Sequence, residues 1–232
     1  MRLFTLLAAV AAMAAPLAAA DRPADDLARD AARKPTDMVA FAGIKPGMTV
    51  VDMIPGGGYF TRVFSNAVGA GGKVVAVIPA EAEKAYPEPS KAIRAMATTG
   101  WPNVSVVSSP VDPALAGKAD VFWTAQNYHD LHNGLPPEGV IGFNKAVFGV
   151  LKPGGAYIVV DHAAKDGSGL ANTKDLHRID PATIKAEVIA AGFSFEGESA
   201  VLRNPADPRT ANVFDPAIRG KTDQVVYRFR KP

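Results

Sequence analysis

The sequence contains four histidines, His129, His132, His162 and His177, and no cysteine. Imidazole titrates near neutrality, so a histidine can take a proton from a substrate hydroxyl, and its neutral ring can ligate a divalent metal. His129 and His132 lie in the run Gln126-Asn127-Tyr128-His129-Asp130-Leu131-His132, just after a β-rich stretch, and His162 follows a second such stretch. Three chemistries fit this spacing. His129 could act as a general base, with Tyr128 and Asn127 orienting a substrate. Alternatively His129, His132 and His162, with Asp130 or Asp161, could form a nitrogen and oxygen site suited to zinc or another divalent ion. The histidines could also simply cap strands and hold loops.

A second constellation is the run Val50-Val51-Asp52-Met53-Ile54-Pro55-Gly56-Gly57-Gly58-Tyr59-Phe60-Thr61, an apolar stretch entering a glycine-rich turn and then a helical pattern. Glycines allow backbone to turn sharply and approach a ligand closely, and the free N–H groups of a following helix suit a carboxylate or phosphate. Without other support such a run can equally be a tight turn.

The elements that must position these residues alternate along the chain. Strand patterns are expected at 49–54, 73–78, 104–107, 119–123 and 156–161, with helical patterns at 59–68, 89–97 and 140–151. That alternation predicts a parallel sheet covered on both faces, with ligands bound beyond the carboxyl ends of the strands. After the fifth strand come a helix at 181–191, a strand-like stretch at 193–202 and a last strand at 224–229. Two strands without a helix between them predict an antiparallel closing pair. The intervening segment 204–223 is long enough to be functional or mobile and should lie over the cleft. It offers Arg209, Arg219 and Lys221, with Arg203 at its edge, for an acidic group, or its charges are solvated and held by Asp207, Asp215 and Asp223.

The run Leu151-Lys152-Pro153-Gly154-Gly155, feeding the strand Ala156-Tyr157-Ile158-Val159-Val160-Asp161, together with the glycine turn a hundred residues earlier, resembles class I S-adenosylmethionine-dependent methyltransferases. The resemblance runs from about residue 37 to 231. Within that superfamily it is strongest to the exported predicted methyltransferases of bacteria, through Pro55–Thr61, Gln126–His132 and Phe214-Asp215-Pro216-Ala217-Ile218-Arg219-Gly220-Lys221-Thr222-Asp223. It implies an α/β, Rossmann-like fold: a central, mostly parallel seven-stranded sheet with an antiparallel last strand and helices on both faces. It implies S-adenosylmethionine as cofactor over Asp52, Pro55, Gly56, Gly57, Gly58, Tyr59 and Gln126, and a small-molecule substrate. Where the superfamily has its first turn glycine this chain has Ile54, and where it has the acid ending the second strand it has Ile78. The resemblance then leaves Glu81 for the ribose and Asp112 for the adenine. It makes His129, Tyr128 and Asn127 the candidate catalytic set.

Met1-Arg2, a Leu/Ala/Val run and Ala18-Ala19-Ala20 before Asp21-Arg22 have the layout of a secretory signal peptide cut after Ala20. The expected organisation is a leader at 1–20, a polar and peripheral segment at 21–35, and one domain at 36–232, in a periplasmic or secreted protein not inserted stably in a membrane. Removing the leader leaves 24 basic against 23 acidic residues, no electrostatic basis for nucleic-acid binding. Two further functions remain open to such a chain: a periplasmic binding or accessory protein that keeps the fold without methyl transfer, and a histidine-based, metal-dependent hydrolase or lyase.

Overall fold

The computed structural model describes residues 22–109 and 112–232; the expected leader lies outside the described residues. Seven strands form one sheet in the order β3-β2-β1-β4-β5-β7-β6. They are β1 (Thr49–Met53), β2 (Lys73–Val77), β3 (Val104–Val107), β4 (Ala119–Ala125), β5 (Leu151–His162), β6 (Ser194–Glu198) and β7 (Gln224–Arg230). The first five are parallel, and β7 runs antiparallel between β5 and β6. Expected strand positions agree within a few residues, except that β5 begins at Leu151 and the strand expected at 193–202 narrows to Ser194–Glu198.

Alternation along each strand divides the apolar residues between two cores. Val50, Val74, Ala76 and Ile158 pack with α3 (Pro35–Ala42), α4 (Tyr59–Val68) and α6 (Pro87–Thr98) on one face. Val51, Val75, Val77, Tyr157 and Val159 pack with α8 (Pro137–Val150) and α9 (Pro181–Ala190) on the other. Both faces of the parallel strands are therefore apolar, and the polar ends where β1 and β4 stop become the place for chemistry.

Three features depart from expectation. The sequence suggests a short helix over 36–42 capped by Thr36; α3 instead starts at Pro35, with Lys34 in the left-handed region before it, and Thr36 makes no cap. Two short helices were not legible, α5 (Ala80–Ala85) and α7 (Tyr128–Gly134). The third concerns the segment expected to be peripheral: it forms two single-turn helices, α1 (Ala24–Leu27) and α2 (Asp30–Arg33), and is packed down. Arg22 is 7% and Asp26 3% exposed. Arg62 of α4 donates to both oxygens of Asp26 at 2.6 and 2.9 Å, and Arg22 does the same to Asp30 at 3.0 and 2.7 Å.

The glycine turn divides its work between packing and access. Gly58 has φ +82°, and a Cβ there would stand 2.5 Å from Ile93 Cδ1. Gly57 has no left-handed backbone and nothing within 4 Å of a Cβ. Gly58→Ala is expected to destabilise the fold by about 1–3 kcal/mol through left-handed strain and crowding, whereas Gly57→Ala leaves stability nearly unchanged. Urea denaturation of the two variants checks this.

Candidate active site

A cavity of about 330 Å³ opens beyond the carboxyl ends of β1 and β4. The glycine turn forms its floor, with Asp52, Pro55, Gly56, Gly57 and Tyr59 all in the lining. Ile54, where the resemblance leads to an expectation of glycine, has φ +51°, a region that costs a β-branched residue energy. The backbone keeps the path glycine would give it, and Ile54 takes the strain.

Asp52, one residue before the end of β1, has its carboxyl buried and accepts from the Thr61 hydroxyl at 2.7 Å. Burial pushes its pKa up to about 7, against the opposing pull of the Thr61 hydrogen bond and the charge of Arg33. Arg33, delivered by α2, also lines the cavity. Burial, with Arg29 beside it, lowers its pKa to about 10, still cationic at neutrality. Its Nη2 donates to Gln126 Oε1 at 3.0 Å, and Gln126 Nε2 donates to Gln224 Oε1 at 3.0 Å. Gln126, expected to contact a cofactor, lines the cavity, and its amide is spent holding Arg33. Tyr59 donates to Asp30 at 2.7 Å, and the guanidinium groups of Arg22, Arg29 and Arg33 lie 4.9 to 5.1 Å from its ring centre. None of these arginines stood out in the sequence, because only the folding back of residues 22–33 brings them here.

Two expected cofactor residues lie elsewhere. Glu81 is exposed on the first turn of α5 and does not line the cavity, where Ile78, Ala82, Tyr86 and Pro89 form an apolar wall. Asp112 caps a 3-10 turn, accepting from Ala114 N at 2.8 Å. Both carboxylates were assigned from chain proximity, and neither is among the residues that line the cavity, although Ala82, next to Glu81, is.

Helix α7 sorts the histidine run. Tyr128 and His132, four residues apart, share one face. The Tyr128 hydroxyl donates to Glu187 Oε2 at 2.9 Å and accepts from Asn144 at 2.8 Å, while His132 Nε2 meets the same Glu187 oxygen at 3.2 Å. Tyr128 belongs to the core and not to the cavity wall, which corrects its expected catalytic place. Asn127 does line the cavity, but its amide donates to Met53 O and Ala125 O, both at 3.1 Å, and accepts from Thr124. It clamps the ends of β1 and β4 rather than offering donors to a substrate.

His129 is 2% exposed. Its Nδ1 donates to Asp161 Oδ1 at 2.8 Å, and its backbone N–H donates to the other oxygen at 2.7 Å. Burial by itself would lower the His129 pKa; the Asp161 charge and hydrogen bond, helped by Asp130, outweigh it and raise the value. With Nδ1 committed, Nε2 carries the lone pair of the neutral ring and points to His177 Nδ1 at 3.3 Å and Asp130 Oδ1 at 3.4 Å. Asp130 lines the cavity, and so does Phe214, whose ring meets His177 edge-on at 5.0 Å. His162 is held apart on Thr222 at 2.7 Å, with its pKa lowered to about 4 chiefly by burial. The expected metal trio of His129, His132 and His162 is thus not assembled; His129, Asp130 and His177 are.

The segment 204–223 reaches the cavity through Phe214 and not through its cations. Arg203 and Arg209 pair with Asp223 at 3.1 and 2.8 Å, and Arg209 also with Asp166 at 2.8 Å. Asp207 holds the fully buried Arg178, next to His177, at 2.8 Å.

The raised pKa of Asp52 has a thermodynamic consequence. Because the folded chain binds this proton more tightly than the unfolded chain, the stabilisation is full below the ordinary value of 3.8 and is lost as pH rises through about 7. Relative to Asp52→Asn, the parent protein should therefore lose melting temperature progressively between roughly pH 5 and pH 8. A constant difference between the two across that range would contradict the assignment.

No family model and no curated protein matches the sequence. Solved structures do. A S-adenosylmethionine-dependent methyltransferase from Aquifex aeolicus superposes with TM-score 0.64 and 20% identity over 92% of this chain and 95% of its own. A 1,6-didemethyltoxoflavin-N1-methyltransferase from Burkholderia thailandensis, with bound S-adenosylhomocysteine, gives 0.55 and 19% over 89% and 79%. The cyclase SpnF gives 0.62 and 16% over 87% and 85%. With the strand order and the antiparallel β7, these likenesses show that the chain has the Rossmann-like fold of the class I methyltransferases.

Proposed function

We propose that the protein is an exported S-adenosylmethionine-dependent methyltransferase acting on a small molecule. The observation that carries this reading is the placement of Asp52 and Arg33 together at the glycine turn, inside the cavity. A buried carboxylate and a half-buried guanidinium complement a zwitterionic amino-acid group, ammonium to Asp52 and carboxylate to Arg33. Gly56 and Gly57, with open space where a Cβ would stand, leave room above the turn, and the apolar wall at Ile78, Ala82 and Pro89 suits a flat base. Among the described lining residues the acids are Asp52 and Asp130 alone, and neither stands at the end of β2 where the resemblance expects a carboxylate for the ribose diol. That departure favours, as second reading, a binding protein that retains the fold without methyl transfer, and the fold's presence in a cyclase makes such divergence reasonable.

When bound, S-adenosylmethionine would supply an electrophilic methyl group on a sulfonium centre. The chain's own task is to hold the acceptor in line with it and to keep water out. Asp130, at the wall, with His129 and His177 behind it, is the polar group against which the acceptor would be placed. Export rests on the leader-like residues 1–20, followed after Asp21 by Arg22, already part of the fold. An enzyme in that location depends on delivery of its cofactor from the cytoplasm.

Calorimetric titration with S-adenosylmethionine is expected to show one site with a Kd between about 1 μM and 1 mM, the usual range for enzyme ligands. Arg33→Ala should weaken binding at least about tenfold, the loss of one charge-assisted contact, while Glu81→Gln and Asp112→Asn should not. Absence of heat at millimolar concentration with the fold intact would leave the second reading in place. Mass spectrometry of the protein recovered from the periplasm should find Asp21 as first residue; an intact chain confined to the cytoplasm would overturn export.

A further inference from the structure

The geometry points to a zinc-type divalent-metal site formed by His129 Nε2, Asp130 Oδ1 and His177 Nδ1. The three atoms stand 3.3, 3.4 and 3.7 Å from one another. Ligands at ~2.0–2.1 Å around a tetrahedral ion are about 3.3–3.4 Å apart, so an ion fits between these atoms with shifts of a few tenths of an ångström. Two imidazoles and one carboxylate, with the fourth position free, are the ligand type of open zinc sites.

The surroundings supply what such a site requires. Metal-bound histidines donate their other ring nitrogen to a carboxylate, which fixes the tautomer and aims the lone pair at the ion. Asp161, fully buried, holds His129 in that way through Nδ1. His177 has φ +53°, a left-handed backbone uncommon for a residue other than glycine, and the neighbouring Arg178 is locked to Asp207 and to Ala163 O. Strain of this kind persists only where the surroundings enforce it. Two ligands come from α7 and the third from the loop after β5, so the arrangement is a tertiary one, distinct from the spacing of His129 and His132 in the sequence.

Of the three ligands Asp130 lines the cavity, so that is the side on which a substrate would approach the ion. An ion there would bind an oxygen donor of the substrate, a hydroxyl or a carboxylate, and would acidify a bound hydroxyl as zinc acidifies water. This use of the ion rests on the methyltransferase reading; its binding does not.

The test is calorimetric titration of the chelator-treated protein with zinc chloride. One equivalent is expected to bind. His177→Ala, at a partly exposed position, should lower the affinity at least about 100-fold, and Asp161→Asn, through the lost orienting contact, about 10–100-fold. His132→Ala, whose ring sits on Glu187, should bind zinc as the parent does. Circular dichroism establishes that each variant folds. Failure of the parent to bind one equivalent, or equal binding by a folded His177→Ala, would overturn the proposal. Zinc binding without S-adenosylmethionine binding would support the site and overturn the methyltransferase reading; the reverse pattern would do the opposite.

Discussion

The arrangement at the mouth of the sheet depends on the buried carboxylate of Asp161. It sits near the end of β5, fully enclosed, and receives the backbone N–H of His129, the ring Nδ1 of the same residue, and the backbone N–H of His162. An enclosed carboxylate without partners would be costly, and three donors at 2.7 to 2.8 Å offset that cost. Burial alone would raise the pKa of Asp161, but the charge and hydrogen bonds of His129 outweigh it and hold the value below the ordinary one. Because two of the donors belong to the first turn of α7, the same interaction fixes where that helix begins. It thereby decides which faces Tyr128, His129 and His132 present.

A second set of charges decides the opposite wall. Residues 22–33 have little apolar surface with which to bind the domain, yet they lie closed over Tyr59 and the glycine turn. Paired hydrogen bonds hold them: Arg62 to Asp26, Arg22 to Asp30, and Tyr59 to Asp30, while Arg62 also donates to Gly57 O at 2.9 Å. Bidentate pairs of this kind are directional, and at partly buried positions they are less screened than surface pairs. Arg62 therefore couples the arm to the turn, and the arm carries Arg33 to the side of Asp52. The two charges that suit a zwitterion come from residues nineteen apart in sequence that meet only when this arm is in place.

Much of the fold was legible because its signals are local. Apolar strands bounded by turns, a helix beginning at Tyr59, and two strands without an intervening helix led to the observed sheet. The glycine turn was legible too, including Ile54 at a glycine position, although only the backbone angle shows that the path is retained at a cost. The site was less legible, since its partners are distant in sequence. His177 was visible as a histidine, but nothing local placed it against His129, forty-eight residues earlier. Glu81 and Asp112 were chosen for closeness along the chain, and neither is among the residues that line the cavity. Tyr128 failed because residues 127–132 were read without a helix, and helical phase is what sends its ring into the core. Arg203 and Arg209 were visible too, but they are already paired with Asp223 and Asp166.

The arm also constrains how a leader could be removed. A cut after Ala20 leaves Arg22 intact, with its guanidinium on Asp30 and over the ring of Tyr59. A cut only a few residues later would remove Arg22, and Asp30 would keep Tyr59 as partner but lose its cation. Asp30 belongs to α2, which ends in Arg33, so loosening that turn would withdraw the guanidinium from the cavity. On the proposed reading the first residues after the leader are thus part of the ligand wall, and the position of the cut matters to binding as much as to export. Composition alone would have treated these residues as a polar tail. Their charges are spent inside the protein, which is why a nearly neutral chain can hold a strongly polar site.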